Sequence, residues 1–89
     1  MKETDYNGLC RLIMSHLLNE QKTTRDKIGN IYKKYGVKTF QYYQIKAIAS
    51  NDFDSKYLKD RKLPPTTLMN ILGRLGYQVK HIDHYEITI

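Results

Sequence analysis

Residues 53–89 read FDSKYLKDRKLPPTTLMNILGRLGYQVKHIDHYEITI, and they contain the clearest signals of secondary structure in the chain. Pro64 and Pro65 end any helix before them, because proline lacks a backbone donor and disfavours helical geometry in the residue that precedes it. The residues that follow carry apolar side chains at helical spacing up to Gly76, a residue type that commonly stands just past a helix end. The stretch therefore predicts a short helix over 54–62, a turn at the prolines and a second helix over 65–75.

The end of the chain, residues 77–89, alternates between apolar and polar side chains, which predicts a β-hairpin. A three-residue loop at 82–84 places the apolar residues of both strands on one face and sets Lys80 opposite Glu86 on the other face. Ile89 ends the apolar row, and such an edge invites pairing with another strand.

Upstream of this stretch, helical periodicity predicts three further helices, over 5–19, 24–35 and 39–50. The apolar face of the first is broader than one partner helix would cover, so this helix is expected to be central in the core or to form a dimer interface. The predicted fold class is mainly α with a small C-terminal β-hairpin, in one domain over 1–89.

Composition and charge limit the possible functions. The formal charge is +6, and the same net +6 falls within residues 22–50, so a polyanion would be attracted there first. A chain this short leaves no room for a deep enzyme cleft. It has no stretch near the roughly 18 apolar residues of a membrane span. Its start lacks the apolar core of a signal peptide. The lone cysteine, Cys10, excludes a disulfide framework, and a cytoplasmic location is expected.

Residues 43–89 resemble a winged helix-turn-helix domain. In that comparison 43–50 resembles the end of the first helix, 55–61 the positioning helix, 62–65 the turn, 66–75 the recognition helix and the hairpin the wing. The sequence departs from the pattern at Leu58, where a small residue is usual, and at Lys62, where glycine is common. The resemblance implies a winged helix-turn-helix core over 39–89, preceded by an N-terminal helical extension of two extra helices over 1–36.

The same resemblance implies sequence-specific binding of double-stranded DNA by a small transcriptional regulator, with the outer face of helix 65–75 in the major groove. On that face Asn70 would bond adenine, and Arg74 would reach guanine or phosphate. A homodimer is expected. The complete set of predicted DNA-binding residues is Lys62, Pro65, Thr66, Thr67, Met69, Asn70, Arg74 and Lys80, with Lys33, Lys34 and Lys38 from the basic middle of the chain.

Residues 9–50 also resemble a lambda-repressor-like helix-turn-helix. There, helix 24–35 would be the first of the pair, Gly36 and Val37 the turn, and helix 39–50 the recognition helix. Tyr32 occupies a position that is nearly always small in that family. The residues facing DNA would be Lys38, Thr39, Gln41, Gln44 and Lys46. Both resemblances imply binding of duplex DNA. A further option is one fold that uses both regions, with the winged part in the groove and the lysine-rich second helix on the backbone.

Two alternatives to duplex DNA binding remain. A protein-binding modulator of phage or mobile-element type would use the winged shape to bind a protein partner. A protein of the third class would bind RNA. Tyr42 and Tyr43, beside lysine-rich segments, offer stacking on unpaired bases. No enzymatic activity, metal or cofactor is predicted. The acidic pairs of the sequence fall at helix or hairpin ends, and His81 and His84 lack a further cysteine or histidine.

Overall fold

The structure is a computed structural model that describes residues 2–58, 63–81 and 83–88. It contains four α-helices, one 3₁₀ turn and three strands within those ranges. In chain order these are β1 (Lys2–Thr4), α1 (Tyr6–Thr24), α2 (Ile28–Lys34), α3 (Thr39–Ala49), the 3₁₀ turn (Lys56–Leu58), α4 (Pro65–Arg74), β2 (Gln78–His81) and β3 (Tyr85–Thr88). The predicted fold class, mainly helical with a C-terminal hairpin, is confirmed.

Helix α1 lies at the centre of the core. Its side chains Leu9, Ile13 and Leu17 recur every four residues, which puts them on one face, and all three are fully buried. Burial of a side chain of this size contributes about 1.5–3 kcal/mol. Helices α2, α3 and α4 all pack against α1. Segment 1–36, expected as an extension, thus supplies the element around which the other helices pack.

The boundary between α1 and α2 differs from the prediction. Helix α1 continues to Thr24, and α2 begins only at Ile28, so the predicted helix over 24–35 is shortened at its start. The hydroxyls of Thr23 and Thr24 donate to main-chain carbonyl oxygens one turn back, at 2.9 and 2.8 Å, so these polar side chains are hydrogen-bonded within the helix. Arg25 then ends α1 in the left-handed conformation, with φ of 58°.

The three strands form one antiparallel sheet in the order β1-β3-β2. Lys80 pairs with Glu86 and His81 with Tyr85, so the predicted register with a three-residue loop is correct. Strand β1 was not predicted. Because β3 is paired on both sides over residues 85–87, a homodimer through this part of the strand would have to displace a neighbour. Ile82 and Ile89 lie outside the described residues.

Within residues 54–58 the predicted helix over 54–62 is a 3₁₀ turn, and residues 59–62 lie outside the described part of the chain. A buried polar side chain joins this turn to α3. Gln44, which is only 2% exposed, donates from Nε2 to the carbonyl oxygen of Tyr57 over 2.8 Å.

No helix in the described part of the chain combines the length and the apolar character needed to cross a membrane.

Candidate nucleic-acid interface

Helix α4 separates its two faces cleanly. Leu68, Ile71 and Leu72 are buried, and the helix packs on α1 and β2 through them. Pro65 stands in the first turn, where its missing N–H costs nothing. The residues predicted to face outward are exposed in four cases, Pro65, Thr66, Asn70 and Arg74. The polar side of α4 is therefore available to a partner.

Two predicted contact residues of α4 are less available. Met69 is half-buried and packs against the hydrophobic core, because it lies at the border between the two faces. Only part of the Met69 side chain is therefore available for the predicted contact with DNA. Thr67 is also half-buried, and it lines a cleft between the start of α4 and the start of α3.

The end of α4 is attached to the turn between α2 and α3. Arg74 donates from Nη1 to the carbonyl oxygen of Tyr35 over 3.1 Å. Gly36, the next residue, has φ of +75°, and a Cβ placed there would lie 2.8 Å from Arg74 Nη1. The guanidinium therefore lies directly over this turn. Lys33 and Lys34, at the end of α2, immediately precede the turn in the chain.

The starts of α3 and α4 line the same cleft. Lys38, Phe40 and Gln41 line one wall of the cleft, and Leu63, Pro64 and Thr67 line the other. Lys38 is the N-cap residue of α3, and its backbone N–H donates to Gln41 Oε1 over 3.0 Å, which orders the first turn. The two helices that the sequence presented as rival recognition helices therefore meet on one surface.

We call this surface the shared face. Its members come from the outer side of α4, the start of α3 and the end of α2, and they are Thr66, Thr67, Asn70, Arg74, Lys38, Gln41, Lys33 and Lys34. It contains four cations and no carboxylate. A face of this composition attracts polyanions and offers amide and hydroxyl groups for hydrogen bonds.

Two of the four cations already have partners in the fold: Arg74 donates to the carbonyl oxygen of Tyr35, and Lys34 is paired with a carboxylate. Lys34 Nζ lies 3.0 Å from Glu20 Oε2, and the hydroxyl of Tyr35 also donates to Glu20. The hydrogen bonds from Tyr35 and Lys34 hold the pKa of Glu20 below its ordinary value. The pKa of Lys34 is raised, chiefly by its hydrogen bond to Glu20. Lys33 and Lys38 are exposed and have no ion-pair partner among the described residues, so they are the better phosphate contacts.

The interpretation of α3 as a recognition helix by itself needs correction. Gln44 was expected to face DNA but is buried and bonded to Tyr57. Tyr32, at the position where a small residue is usual, stacks on Tyr42 with ring centroids 4.4 Å apart. Its hydroxyl donates to Thr39 Oγ1 over 3.1 Å. A pair of large rings thus separates α2 and α3, and only the first turn of α3 contributes to the shared face.

The hairpin was expected to contribute Lys80 to the DNA-binding site, but this residue lies apart from the shared face. Lys80 is exposed in a shallow groove of the sheet with Gln78, Glu86 and Thr88, directly opposite Glu86. No contact between described residues joins Lys80 to the shared face. Lys62, predicted to flank the site, lies outside the described residues.

A cluster that the sequence did not reveal lies on the sheet. His84 Nε2 is 3.4 Å from a carboxylate oxygen of Glu3 and 3.4 Å from one of Glu86. Glu3 stands directly opposite Glu86 across β1 and β3, a like-charge pair that a protonated His84 would offset. Sequence reasoning paired His84 with His81, which instead stacks on Tyr85. The cluster was missed because β1 was missed.

Exposed aromatic rings form a second unpredicted feature. Tyr42, one of the two tyrosines considered for base stacking, is buried, whereas Tyr43 is 37% exposed and Phe40 is 55% exposed. The signal was available in the helical period, since Phe40 and Tyr43 fall outside the stripe formed by Tyr42, Ile45 and Ile48.

Comparison of the chain with protein-family models, with curated proteins and with solved structures gave no match.

Proposed function

We propose that this protein binds double-stranded DNA in a sequence-specific manner through the shared face, as a small transcriptional regulator of winged helix-turn-helix type. One observation carries the proposal. The Arg74–Tyr35 hydrogen bond and the cleft between Lys38 and Thr67 bring the exposed polar side of α4 next to the basic end of α2 and the start of α3.

The order of elements supports the winged architecture. A short helical turn, the Pro64–Pro65 turn, α4 and a hairpin follow one another, as in the proposed family. Strand β3 lies between β2 and a third strand, and here that third strand comes from the N-terminus. In this arrangement α4 enters the major groove and the shared-face lysines meet phosphates on its flank.

The residues of the shared face divide into two roles. Asn70 is exposed at the middle of α4, where its amide can form a bidentate contact with adenine. Thr66 and Thr67 lie in the first turn of α4, whose free N–H groups favour a phosphate. Lys33 and Lys38 supply charge without reading sequence.

Salt titration of duplex binding tests the proposal. Four neutralised phosphates imply that affinity falls roughly a hundredfold between about 50 and 200 mM salt. Lys33→Ala and Lys38→Ala should each weaken binding to all sequences and lower the salt slope by about one. Lys22→Ala, in the last turn of α1, is the matched control and should leave the slope unchanged. A duplex affinity that does not respond to salt or to these lysines would contradict the proposal.

A protein-binding modulator is the second candidate, and one observation favours it. Leu18 is 48% exposed on a groove between α1 and α3 that is also lined by Met14 and Ala49. Arg11 and Lys46 stand at the same groove, so an apolar partner segment with acidic flanks would fit it. Absence of duplex binding even at low salt would favour this candidate over the first.

A further inference from the structure

Three aromatic rings gather between α3 and the 3₁₀ turn, and we call them the aromatic patch: Phe40, Tyr43 and Tyr57. Tyr57 lies in the middle. Its ring is stacked with that of Tyr43 at a centroid distance of 5.0 Å and an interplanar angle of 15°. Phe40 meets Tyr57 edge-on at 5.7 Å and 71°. The rings therefore support one another and hold a fixed arrangement.

The patch is open to solvent. Phe40 is 55% exposed and Tyr43 is 37% exposed, although most other large apolar side chains of α3 are buried. Residues three apart on a helix have Cβ atoms about 5–6 Å apart, so these two rings are neighbours along the helix surface. Contiguous exposed apolar surface with a polar rim is a feature of interaction sites, whereas apolar side chains scattered singly are normal.

The charged residues around the rings have a small positive excess. Residues 38–57 contain Lys38, Lys46 and Lys56 against Asp52 and Asp54. Lys56 Nζ lies 5.3 Å from the centroid of the Tyr57 ring. Asp52 and Lys46 both line the groove beneath Tyr43 and Tyr57. Charge complementarity therefore favours a polyanionic partner over a cationic or neutral one.

We propose that the aromatic patch binds single-stranded nucleic acid, with unpaired bases stacked on Phe40 and Tyr43 and phosphates held by Lys38, Lys46 and Lys56. Aromatic rings with flanking cations are the usual means of binding a strand without sequence preference. A duplex does not fit the patch, because its base faces are covered by neighbouring base pairs. The patch adjoins the shared face, since Phe40 and Lys38 line the same cleft as Thr67.

The patch and the shared face have Lys38 in common, but stacking of bases on Phe40 and Tyr43 does not depend on duplex recognition, so either can fail without the other. The direct probe is fluorescence anisotropy of a labelled oligothymidine strand, compared with an abasic strand of equal length. The abasic strand keeps the phosphates and lacks the bases. Wild-type protein should bind the oligothymidine between about fivefold and a hundredfold more tightly than the abasic strand.

Variants then assign the difference to the patch. Phe40→Ala and Tyr43→Ala should each reduce oligothymidine affinity within that same range while leaving abasic binding unchanged. Tyr43→Phe keeps the ring and should retain wild-type affinity. Leu18→Ala removes an exposed apolar side chain of similar accessibility outside the patch and serves as the control for non-specific loss.

Equal binding of the two strands by wild-type protein would overturn the proposal, and so would oligothymidine binding that is unchanged when Phe40→Ala and Tyr43→Ala are combined in one protein. If the patch binds a protein instead of a nucleic acid, the second of these results is expected. The Asn70→Ala variant should keep full oligothymidine affinity. If wild-type protein binds the single strand and not the duplex, the proposed function fails while this inference stands.

Discussion

Arg74, in the last turn of α4, donates a hydrogen bond of 3.1 Å to the carbonyl oxygen of Tyr35, in the turn between α2 and α3. The bond joins residues that are 39 positions apart, and it fixes the end of one candidate recognition helix against the approach to the other. Because α4 and the α2–α3 turn are held together, a duplex that contacts one is positioned to contact the other.

Replacing Arg74 with alanine should therefore have two effects. Loss of the hydrogen bond should lower the free energy of unfolding by about 0.5–1.5 kcal/mol. Loss of the cation should weaken binding to a preferred duplex by about 1–3 kcal/mol. Urea denaturation and a duplex titration separate the two quantities. Unchanged values in both experiments would show that this contact contributes neither to the fold nor to binding.

Substitution of Gly36 tests the same contact, because the Arg74 guanidinium lies directly against this glycine. Alanine at this position must adopt φ of +75° and place its Cβ 2.8 Å from Arg74 Nη1. The backbone part of this change costs about 1–2 kcal/mol. The steric part should disappear when Arg74 is already alanine, so a double-mutant cycle should show coupling between the two positions. Strict additivity of the two destabilisations would argue against the contact.

Gln44 distinguishes a structural role from a DNA-facing one. Gln44→Leu removes the donor to the carbonyl oxygen of Tyr57, and the unfolding free energy should fall by about 1–3 kcal/mol. Duplex affinity per folded molecule should not change, because the side chain is buried. A large loss of duplex affinity with normal stability would instead return α3 to the role of recognition helix.

The raised pKa of Tyr6 implies a loss of stability at alkaline pH. Burial, aided by Cys10 and Tyr85, raises the pKa of Tyr6 from 10.0 to about 12. Its hydroxyl donates to the carbonyl oxygen of Leu63 over 2.6 Å. Below the unfolded pKa both states hold the proton, and the stabilisation is complete. As the pH rises above 10.0, the unfolded chain ionises at Tyr6 while the folded protein keeps the proton, so the stabilisation is lost progressively until the pH has passed the folded pKa of about 12.

The check on this prediction is a set of urea denaturations at increasing pH on wild-type protein and on Tyr6→Phe. The variant should be less stable at neutral pH by about 0.5–1.5 kcal/mol. It should also lose less stability than the wild type between the two pKa values. Parallel curves for the two proteins would show that Tyr6 does not carry this pH dependence.

Asn70 should act on sequence preference alone. Its side chain is exposed on α4, so Asn70→Ala should leave thermal stability unchanged. Affinity for preferred duplexes should fall by about 1–3 kcal/mol, and the preference at one base pair should relax. Selection of bound sequences from a random duplex pool, for the variant and for Lys33→Ala in parallel, measures this. An identical selected sequence for wild type and Asn70→Ala would remove Asn70 from base recognition.

The parts of the fold that the sequence predicted are those with local signals. Pro64, Pro65 and Gly76 delimit α4 within one residue, because each acts through its own backbone. The register of the hairpin followed from alternation alone, with Lys80 opposite Glu86 as expected. The exposed position of Asn70 likewise followed from the helical period.

The parts that could not be predicted depend on distant partners. Residues 2–4 carry no apolar alternation, and they form β1 only because β3 offers an edge to pair with. Gln44 is polar and falls between apolar positions, and its burial depends on a carbonyl oxygen 13 residues away. The shared face itself depends on Arg74 reaching Tyr35, which no periodicity reveals.

Duplex binding by the shared face is tested most directly by an amide chemical-shift titration of the isotope-labelled protein with a short duplex at low salt. We expect the largest shifts at Gly36, Lys38, Thr66, Thr67 and Asn70, and no shifts at Lys22 or at the residues of β1. Shifts confined to the sheet or to the groove around Leu18, or no shifts at all, would contradict duplex recognition by the shared face.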